Sequence, residues 1–334
     1  MPHIQKNVSL KPFNTFHVEA YAKYFVSIQS PDALSSLIKS KVLHDLPKLI
    51  LGGGSNILLT QDFHGLVIKI NIKGIEKIKE TENYVWLAVA AGEDWHSFVK
   101  YCVEHDYAGV ENLILIPGTT GAAVVQNAGA YGMEITDTLQ EIDTLHLQTG
   151  NFKTFFPNQC RFAYRSSCFK SKHNPFVVTR AIFKLCKYPQ FKINYASIKK
   201  LLEIKNLTLT KIADVIVKIR QKKLPDFKQF GNAGSFFKNP VVPLQVFNRL
   251  SIVYPAMPHW KYNGQVKLAA AWLIEKCGWK GKKFGQTGVY EKHALVLLNY
   301  GHASGLSIKR LADDIVISVF KKFNIRLESE VLIL

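Results

Sequence analysis

The spacing of apolar side chains changes several times along the 334 residues, and each change predicts an element. Ala33, Leu34, Leu37 and Ile38 recur at helical intervals, so a helix is expected there. Lys48–Leu51 reads as a short buried strand running directly into Gly52-Gly53-Gly54-Ser55-Asn56, and strand-like runs follow at 57–60 and 65–70. Residues 84–91 read as another strand and 96–105 as a helix with Phe98, Tyr101 and Cys102 on its apolar side. Between 116 and 132 periodicity disappears; the side chains are small and Gly118, Gly121, Gly129 and Gly132 punctuate a bare loop. Strand-like runs fill 140–185, and helices are expected near 197–205 and over 209–222. Leu224-Pro225-Asp226 marks a domain boundary. An amphipathic helix is expected from about 265, with Ala269, Leu273 and Cys277 in one stripe and Gly278 as its stop. A strand at 294–298 precedes a long helix near 305–322, in which Ile308, Leu311, Ile315 and Val319 are in register. The end alternates like a strand: Ile325, Leu327, Val331 and Ile333 face one way, and Arg326, Glu328 and Glu330 the other. The class is α+β or mixed α/β, with no internal repeat.

Composition narrows the function classes. The length suits two or three domains of roughly 100–200 residues each. Apolar residues are 47% and charged residues 20% of the chain, which is ordinary globular usage. The net charge of +18 points toward nucleic acid or an anionic surface. Yet 36 of the 43 cations are Lys, and Lys solvates surfaces where Arg reads phosphates and bases in a planar fork. The best nucleic-acid candidate is 187–223, where Lys is interleaved with Tyr188, Phe191 and Tyr195. Five cysteines without a C-x-x-C pair argue against a disulfide framework or structural zinc, and a reducing cytoplasm is expected. No ligand-spaced His or acid cluster predicts a metal. The first residues lack a signal-like apolar run, and no stretch approaches the roughly 18 apolar residues of a membrane span.

The chemistry is concentrated in glycine-rich segments. Gly52-Gly53-Gly54-Ser55-Asn56-Ile57 fails the G-x-G-x-x-G fingerprint, because Ile57 stands at the third glycine and a strand-like run follows. Its free amides still suit an anion. The 116–132 segment, with Gln126-Asn127, is too bare to build a core and suits a flat ligand. Two such loops predict a dinucleotide-sized cofactor held by backbone amides. Arg161 and Arg165 bracket Tyr164 and, in strand geometry, share one face as a clamp for carboxylate or phosphate. Ser235 stands on the glycine turn Gly231-Asn232-Ala233-Gly234; it is outside any G-x-S-x-G elbow, so a proton-donor role suits it better than a nucleophilic one. Glu328 and Glu330 offer carboxylates where charges are ordinarily solvated.

In order, Asn14-Thr15-Phe16, Leu51 to Asn56, Ile116-Pro117-Gly118 through Gly132, Cys160 to Ser167, Lys223-Leu224-Pro225, Gly231 to Pro240, Lys267 to Ala270 and Leu327 to Val331 resemble the UDP-N-acetylenolpyruvoylglucosamine reductase (MurB) family. The resemblance covers nearly the whole chain. It implies an α+β fold: a two-lobed FAD-binding domain of the vanillyl-alcohol-oxidase/PCMH type and a smaller α+β substrate-binding domain. The lobes would be 1–70 with 325–334 and 71–223, and the substrate domain 224–324. It implies NADPH-dependent reduction of UDP-N-acetylglucosamine enolpyruvate to UDP-N-acetylmuramate through non-covalent FAD, in peptidoglycan precursor synthesis, by a cytoplasmic monomer.

Residue by residue, the resemblance assigns Arg165 and Glu330 to the substrate carboxylate end and Ser235 to proton delivery. Gly52, Gly53, Gly54, Ser55, Asn56, Pro117, Gly118, Gly121, Gln126 and Gly129 would contact FAD, and Tyr164, Tyr195, Lys223 and Asn239 the substrate. Tyr195 would mark the longer, type I form, with a tyrosine loop closing over the nucleotide. The sequence departs from the family's pattern at Val124, where proline is common, and at Leu332, where some relatives carry arginine near the flavin. The competing readings are another FAD-dependent oxidoreductase of the same superfamily and a Lys-rich nucleic-acid binder. The second would be colourless and would bind in a salt-sensitive manner.

Overall fold

The computed structural model describes residues 2–334 except 172, 194–197, 200 and 202–204. Contacts gather the chain into two units. One comprises Met1–Val8, Ala22–Gly53 and Phe63–Arg220; the other comprises Ser9–Tyr21, Gly54–Asp62 and Gln221–Leu334.

The first unit is built on two sheets. In the smaller, the strand order is Ile4–Ser9, Tyr21–Ile28, Phe63–Ile70, Lys48–Leu51, and Phe63–Ile70 pairs in parallel with the strands on either side of it. Parallel pairing needs a crossover, which the helix Pro31–Lys39 supplies. Ser30 starts that helix: its Oγ accepts the Ala33 amide at 3.1 Å, Pro31 pre-sets the first turn, and Leu34, Leu37 and Ile38 are buried. The larger sheet is antiparallel throughout, in the order Phe152–Phe155, Leu139–His146, Phe176–Cys186, Tyr84–Ala90, Ile75–Glu80. The helix Trp95–Glu104 covers it, capped by Asp94, whose carboxylate accepts the Ser97 amide at 2.8 Å. Trp95, Phe98 and Phe183 pack with ring centroids 5.1–5.9 Å apart and fix that helix to the sheet. The helix Leu209–Lys223 buries Leu209, Ile212, Ala213 and Ile216.

The second unit has two three-stranded sheets. They are Val241–Val242, Gln265–Leu268, His259–Tyr262 and Lys283–Phe284, Thr287–Val289, Leu297–Asn299, each in that strand order. The helix Gly305–Phe323 buries Ile308, Leu311, Ile315 and Val319, the stripe read from the sequence, and Phe323 in addition, and each such side chain contributes about 1.5–3 kcal/mol. Phe16, Phe236 and Phe237 form an aromatic knot within the same core. No described helix is long and apolar enough to cross a membrane.

Three local expectations are corrected. The bare 116–132 segment contains a helix, Thr120–Gln126, because small residues let one turn after another lie flat on the sheet. The helix expected from 265 begins at Ala270; Gln265–Leu268 is a strand, paired across the two-residue Asn263-Gly264 turn with the adjacent His259–Tyr262 and on its other side with the more distant Val241–Val242, and the Asn-Gly turn is a local signal that the helical reading passes over. At the C-terminus the alternation holds, with Ile325, Leu327 and Val331 buried, but only Leu332–Ile333 forms a strand, in parallel with Ile57–Leu58. Of the helix expected at 197–205, the greater part lies outside the described residues.

Asn14 shows how a short motif organises the second unit. Its side-chain amide donates to the carbonyls of Leu10 at 2.8 Å and Val18 at 3.0 Å, and its oxygen accepts the Val18 amide at 3.1 Å. Replacing it strands three interior backbone groups. Asn14→Ala should therefore cost about 2–4 kcal/mol in a urea titration; a change within error would mean water replaces all three bonds.

Candidate active site

In the first unit the two glycine segments meet backbone to backbone. A Cβ on Gly53 would lie 2.7 Å from Gly118 Cα, and one on Gly52 would lie 2.6 Å from Thr119 Oγ1. Gly121 is confined in the same way, 2.8 Å from the Ala91 Cβ. Lys69 donates its ammonium to the Gly52 carbonyl, and burial lowers its pKa, with Lys73 adding to the shift. Gln126 ends the short helix and accepts from Lys170 at 2.8 Å. Asn127 follows with φ +46° and donates to Glu134 at 2.9 Å and to the Ala163 carbonyl at 3.0 Å.

Arg165 is held in this neighbourhood. Its guanidinium donates to the Gly129 carbonyl and lies 5.2 Å from the Tyr164 ring centroid. The expected strand clamp is corrected. Arg161 and Arg165 both have left-handed backbones, with φ +48° and +53°, and Ala163 and Ser166 bridge across a tight loop. Arg165 is therefore presented by a turn and Arg161 is not its face-mate. Leu115 and Tyr131 are left-handed as well, with φ +62° and +50°. Five strained non-glycine residues around two loops are a concentration that ordinary packing does not require.

Arg220 was not singled out in the sequence. It sits in the last turn of Leu209–Lys223, hydrogen-bonded to Tyr131 and within the field of Arg165. Its Nε is buried and has no partner among the described residues, and burial lowers the guanidinium's pKa. A buried cation with an idle donor calls for an acceptor beyond the described residues. The Asn127 Oδ1 is buried and unpartnered too. The one sequence signal was the scarcity of Arg, seven in the chain, and it gave no spatial information. The closely packed glycine loops and these idle polar atoms fit a flat, electron-rich cofactor with phosphates.

The second unit holds the other candidates. Gly54 has φ +65°, and a Cβ there would fall 1.9 Å from the Phe13 carbonyl oxygen; its own carbonyl accepts the Thr15 amide at 3.1 Å. Ser235 and Glu330 are brought together through backbone: Ser235 bridges Val296, and the Glu330 amide donates to the Phe236 carbonyl at 2.8 Å. The Ser235 hydroxyl has no hydrogen-bond partner among the described residues. Asn56 Nδ2 donates to the Glu330 carbonyl at 3.2 Å. Asn239 accepts the Ala270 amide at 3.0 Å, which starts the following helix and leaves its NH₂ for a ligand. Lys223 ends its helix beside His293. Tyr195 lies outside the described residues.

Residues 22–155 match an FAD binding domain, and residues 225–334 match the C-terminal domain of UDP-N-acetylenolpyruvoylglucosamine reductase. Over 333 residues the chain is 44% identical to the UDP-N-acetylenolpyruvoylglucosamine reductase of Amoebophilus asiaticus, with 98% of both chains covered. The chain belongs to the UDP-N-acetylenolpyruvoylglucosamine reductase family. The reductase of Flavobacterium johnsoniae is 43% identical, again over 98% of each chain. The solved MurB of Thermus caldophilus shares the fold, with a TM-score of 0.69 over 100% of this chain and 99% of that one at 24% identity. Against the family's pattern, Val124 is fully buried within the short helix, and Leu332, 40% exposed, pairs with Ile57.

Two outcomes follow from the site's geometry. Gly53→Ala forces the two loops apart and should weaken FAD binding at least about tenfold in a flavin-fluorescence titration, with the fold retained; unchanged affinity would show that the loop contact does not shape the cofactor site. His293 is held below its usual 6.5 by burial, with Lys223 and then Lys280 adding to the shift, and its Nδ1 accepts the Leu295 amide at 3.3 Å. Its neutral form contributes stability above about pH 6.5, and that contribution is lost as pH falls below it, because the unfolded chain binds the proton more readily. His293→Gln should flatten the fall in urea midpoint between about pH 7 and pH 5; an unaltered slope would assign the loss to other groups.

Proposed function

We propose a division of labour among the residues of an enzyme whose reaction follows from its family: NADPH-dependent, FAD-linked reduction of UDP-N-acetylglucosamine enolpyruvate to UDP-N-acetylmuramate, for peptidoglycan precursor synthesis. The structural observation that carries the reading is the close contact between the Gly52-Gly53 and Gly118-Thr119 segments, together with a buried Arg220, bonded to Tyr131, whose Nε has no partner among the described residues. When bound, FAD supplies a two-electron store that takes hydride from NADPH and passes it to the enolpyruvyl double bond.

Gly52, Gly53, Gly54, Ser55, Asn56, Pro117, Gly118, Gly121, Gln126 and Gly129 hold the cofactor without a covalent bond, chiefly through backbone amides. Arg220 Nε offers it, or the substrate's anionic end, a further donor. Arg165 and Glu330 orient the enolpyruvyl carboxylate. Hydride arrival at the terminal alkene carbon builds negative charge on the carbon bearing that carboxylate, so a fixed guanidinium stabilises the transition state more than the ground state. Ser235 then donates its hydroxyl proton to that carbon. A serine hydroxyl is a weak acid, suited to a strongly basic carbanion or enolate and inert towards the resting substrate. Tyr164, Tyr195, Lys223 and Asn239 contact the nucleotide, Lys223 as a phosphate partner.

We place the enzyme in the cytoplasm as a monomer. The cysteines Cys102, Cys160, Cys168, Cys186 and Cys277 are all unpaired, which suits a reducing compartment. The Lys excess is a surface property that adds attraction for anionic substrates.

Rapid mixing separates the two half-reactions. Ser235→Ala should bleach with NADPH at the parental rate and reoxidise with the enolpyruvyl nucleotide about 10²–10⁴-fold more slowly under anaerobic conditions. Parental reoxidation would remove Ser235 from proton delivery.

A further inference from the structure

Cys160 and Cys168 stand at the two ends of the loop that presents Arg165. The Cys168 amide donates to the Cys160 carbonyl at 2.7 Å, closing the loop at its base. The Cys160 thiol donates to the Phe156 carbonyl at 3.3 Å, and the Cys168 thiol is close enough to influence its ionisation. A backbone hydrogen bond from Cys168 to Cys160 holds the two Cα atoms close together, the first geometric demand of a disulfide. Neither thiol has a part in hydride or proton transfer.

We infer that Cys160 and Cys168 are a disulfide-forming pair, oxidised by low-molecular-weight disulfides, whose closure withdraws Arg165 from its working position. This rests on the role given to Arg165 above. Cys168 is the attacking thiol. It is partly exposed; burial raises its thiol, and the Cys160 S–H and the Arg161 charge offset part of that rise. Cys160 is fully buried, and burial pushes its thiol up to about 12, so it is the resolving partner. The exchange balances. Cys168 sulfur attacks one sulfur of the small disulfide and expels the first thiol; Cys160 sulfur then attacks Cys168 and expels the second. The two thiol protons leave on the departing thiols, and the small disulfide is reduced as the pair is oxidised. Burial raises both thiols, so closure is slow at neutral pH and responds to sustained oxidation.

The consequence for Arg165 follows from how its loop is tethered. Ser167, next to Cys168, donates its hydroxyl to the Val125 carbonyl at 2.8 Å, and Asn127 holds the Ala163 carbonyl at 3.0 Å. A sulfur–sulfur bond of about 2.05 Å is shorter than any contact between thiols. Closing it draws the loop's base together against those tethers, and Arg165, at φ +53°, has little conformational slack to absorb the shift.

The test uses the full-length FAD-loaded enzyme, equilibrated against glutathione and glutathione disulfide in graded ratio, then alkylated and peptide-mapped. The expected result is a linkage between Cys160 and Cys168 with Cys102, Cys186 and Cys277 alkylated. The same samples should be reduced by NADPH within about twofold of the parental rate. Reoxidation by the enolpyruvyl nucleotide should slow at least about tenfold and recover with dithiothreitol, while Cys168→Ser should keep its rate through the series. No linkage at any ratio, stable glutathione adducts in its place, or a linkage that leaves reoxidation unchanged overturns the inference. Mapping reads the bond without reference to catalysis. An Arg165→Met variant that reoxidises normally would therefore sink the Arg165 assignment while leaving the linkage itself intact.

Discussion

The close approach of two polypeptide backbones governs the first unit. Gly53 meets the Gly118 Cα at a distance no side chain tolerates, and Gly52 meets the Thr119 side chain. A parallel sheet delivers one of these segments at the end of Lys48–Leu51, and the antiparallel sheet, with the helix Trp95–Glu104, supports the other. The Trp95 indole donates to the Leu113 carbonyl at 3.1 Å, and the Trp95 amide donates to the Gly118 carbonyl at 3.0 Å. The hydrophobic core thus reaches the ligand loop through two hydrogen bonds from one buried tryptophan. Glycine lets the chains come this close, and the core keeps them there.

Around that contact the protein holds unfavourable local states. Leu115, Asn127, Tyr131, Arg161 and Arg165 are left-handed, and the Arg220 Nε and Asn127 Oδ1 are buried without partners. Each such feature costs on the order of 1–3 kcal/mol. A ligand that accepts from Arg220 Nε and donates to Asn127 Oδ1 would offset part of it, so the apoprotein is expected to be the less stable form. The buried Glu111 is a different case. Its carboxyl is raised by burial, but backbone amides from Gly109 to Glu111 satisfy it, and it serves as an internal brace for the turn that leads to Asn112. Asn112 then ties the Tyr131 and Lys192 carbonyls together.

Charge contributes less than its size suggests. The net +18 comes mainly from Lys, and the recorded Lys pairs with acids are largely exposed contacts such as Lys309–Asp313 and Lys100–Glu104, which contribute little stability each. In the first unit the cations near the glycine loops include Lys69, Arg165, Lys170 and Arg220. Their effect depends on burial, since a buried charge acts on a ligand far more strongly than one on the surface.

Periodicity alone determined the long elements. The helices Pro31–Lys39, Leu209–Lys223 and Gly305–Phe323 and the strands around the first glycine turn were legible because each carries an apolar stripe that must be buried. The order of motifs determined the family and the identity of Ser235, Glu330 and Arg165 as candidates. Tertiary structure decided what depends on distant partners. Gln265–Leu268 completes its sheet with the distant Val241–Val242 as well as with its hairpin neighbour His259–Tyr262, and the helix within 116–132 packs on the strand Phe176–Cys186. Arg220 reached the site through the packing of its helix, and Arg165 through a left-handed turn that alternation misreads as a strand. Hydrophobic pattern records which face of an element is dry. It carries no information on which buried polar atom lacks a partner, because that is a property of the assembled interior.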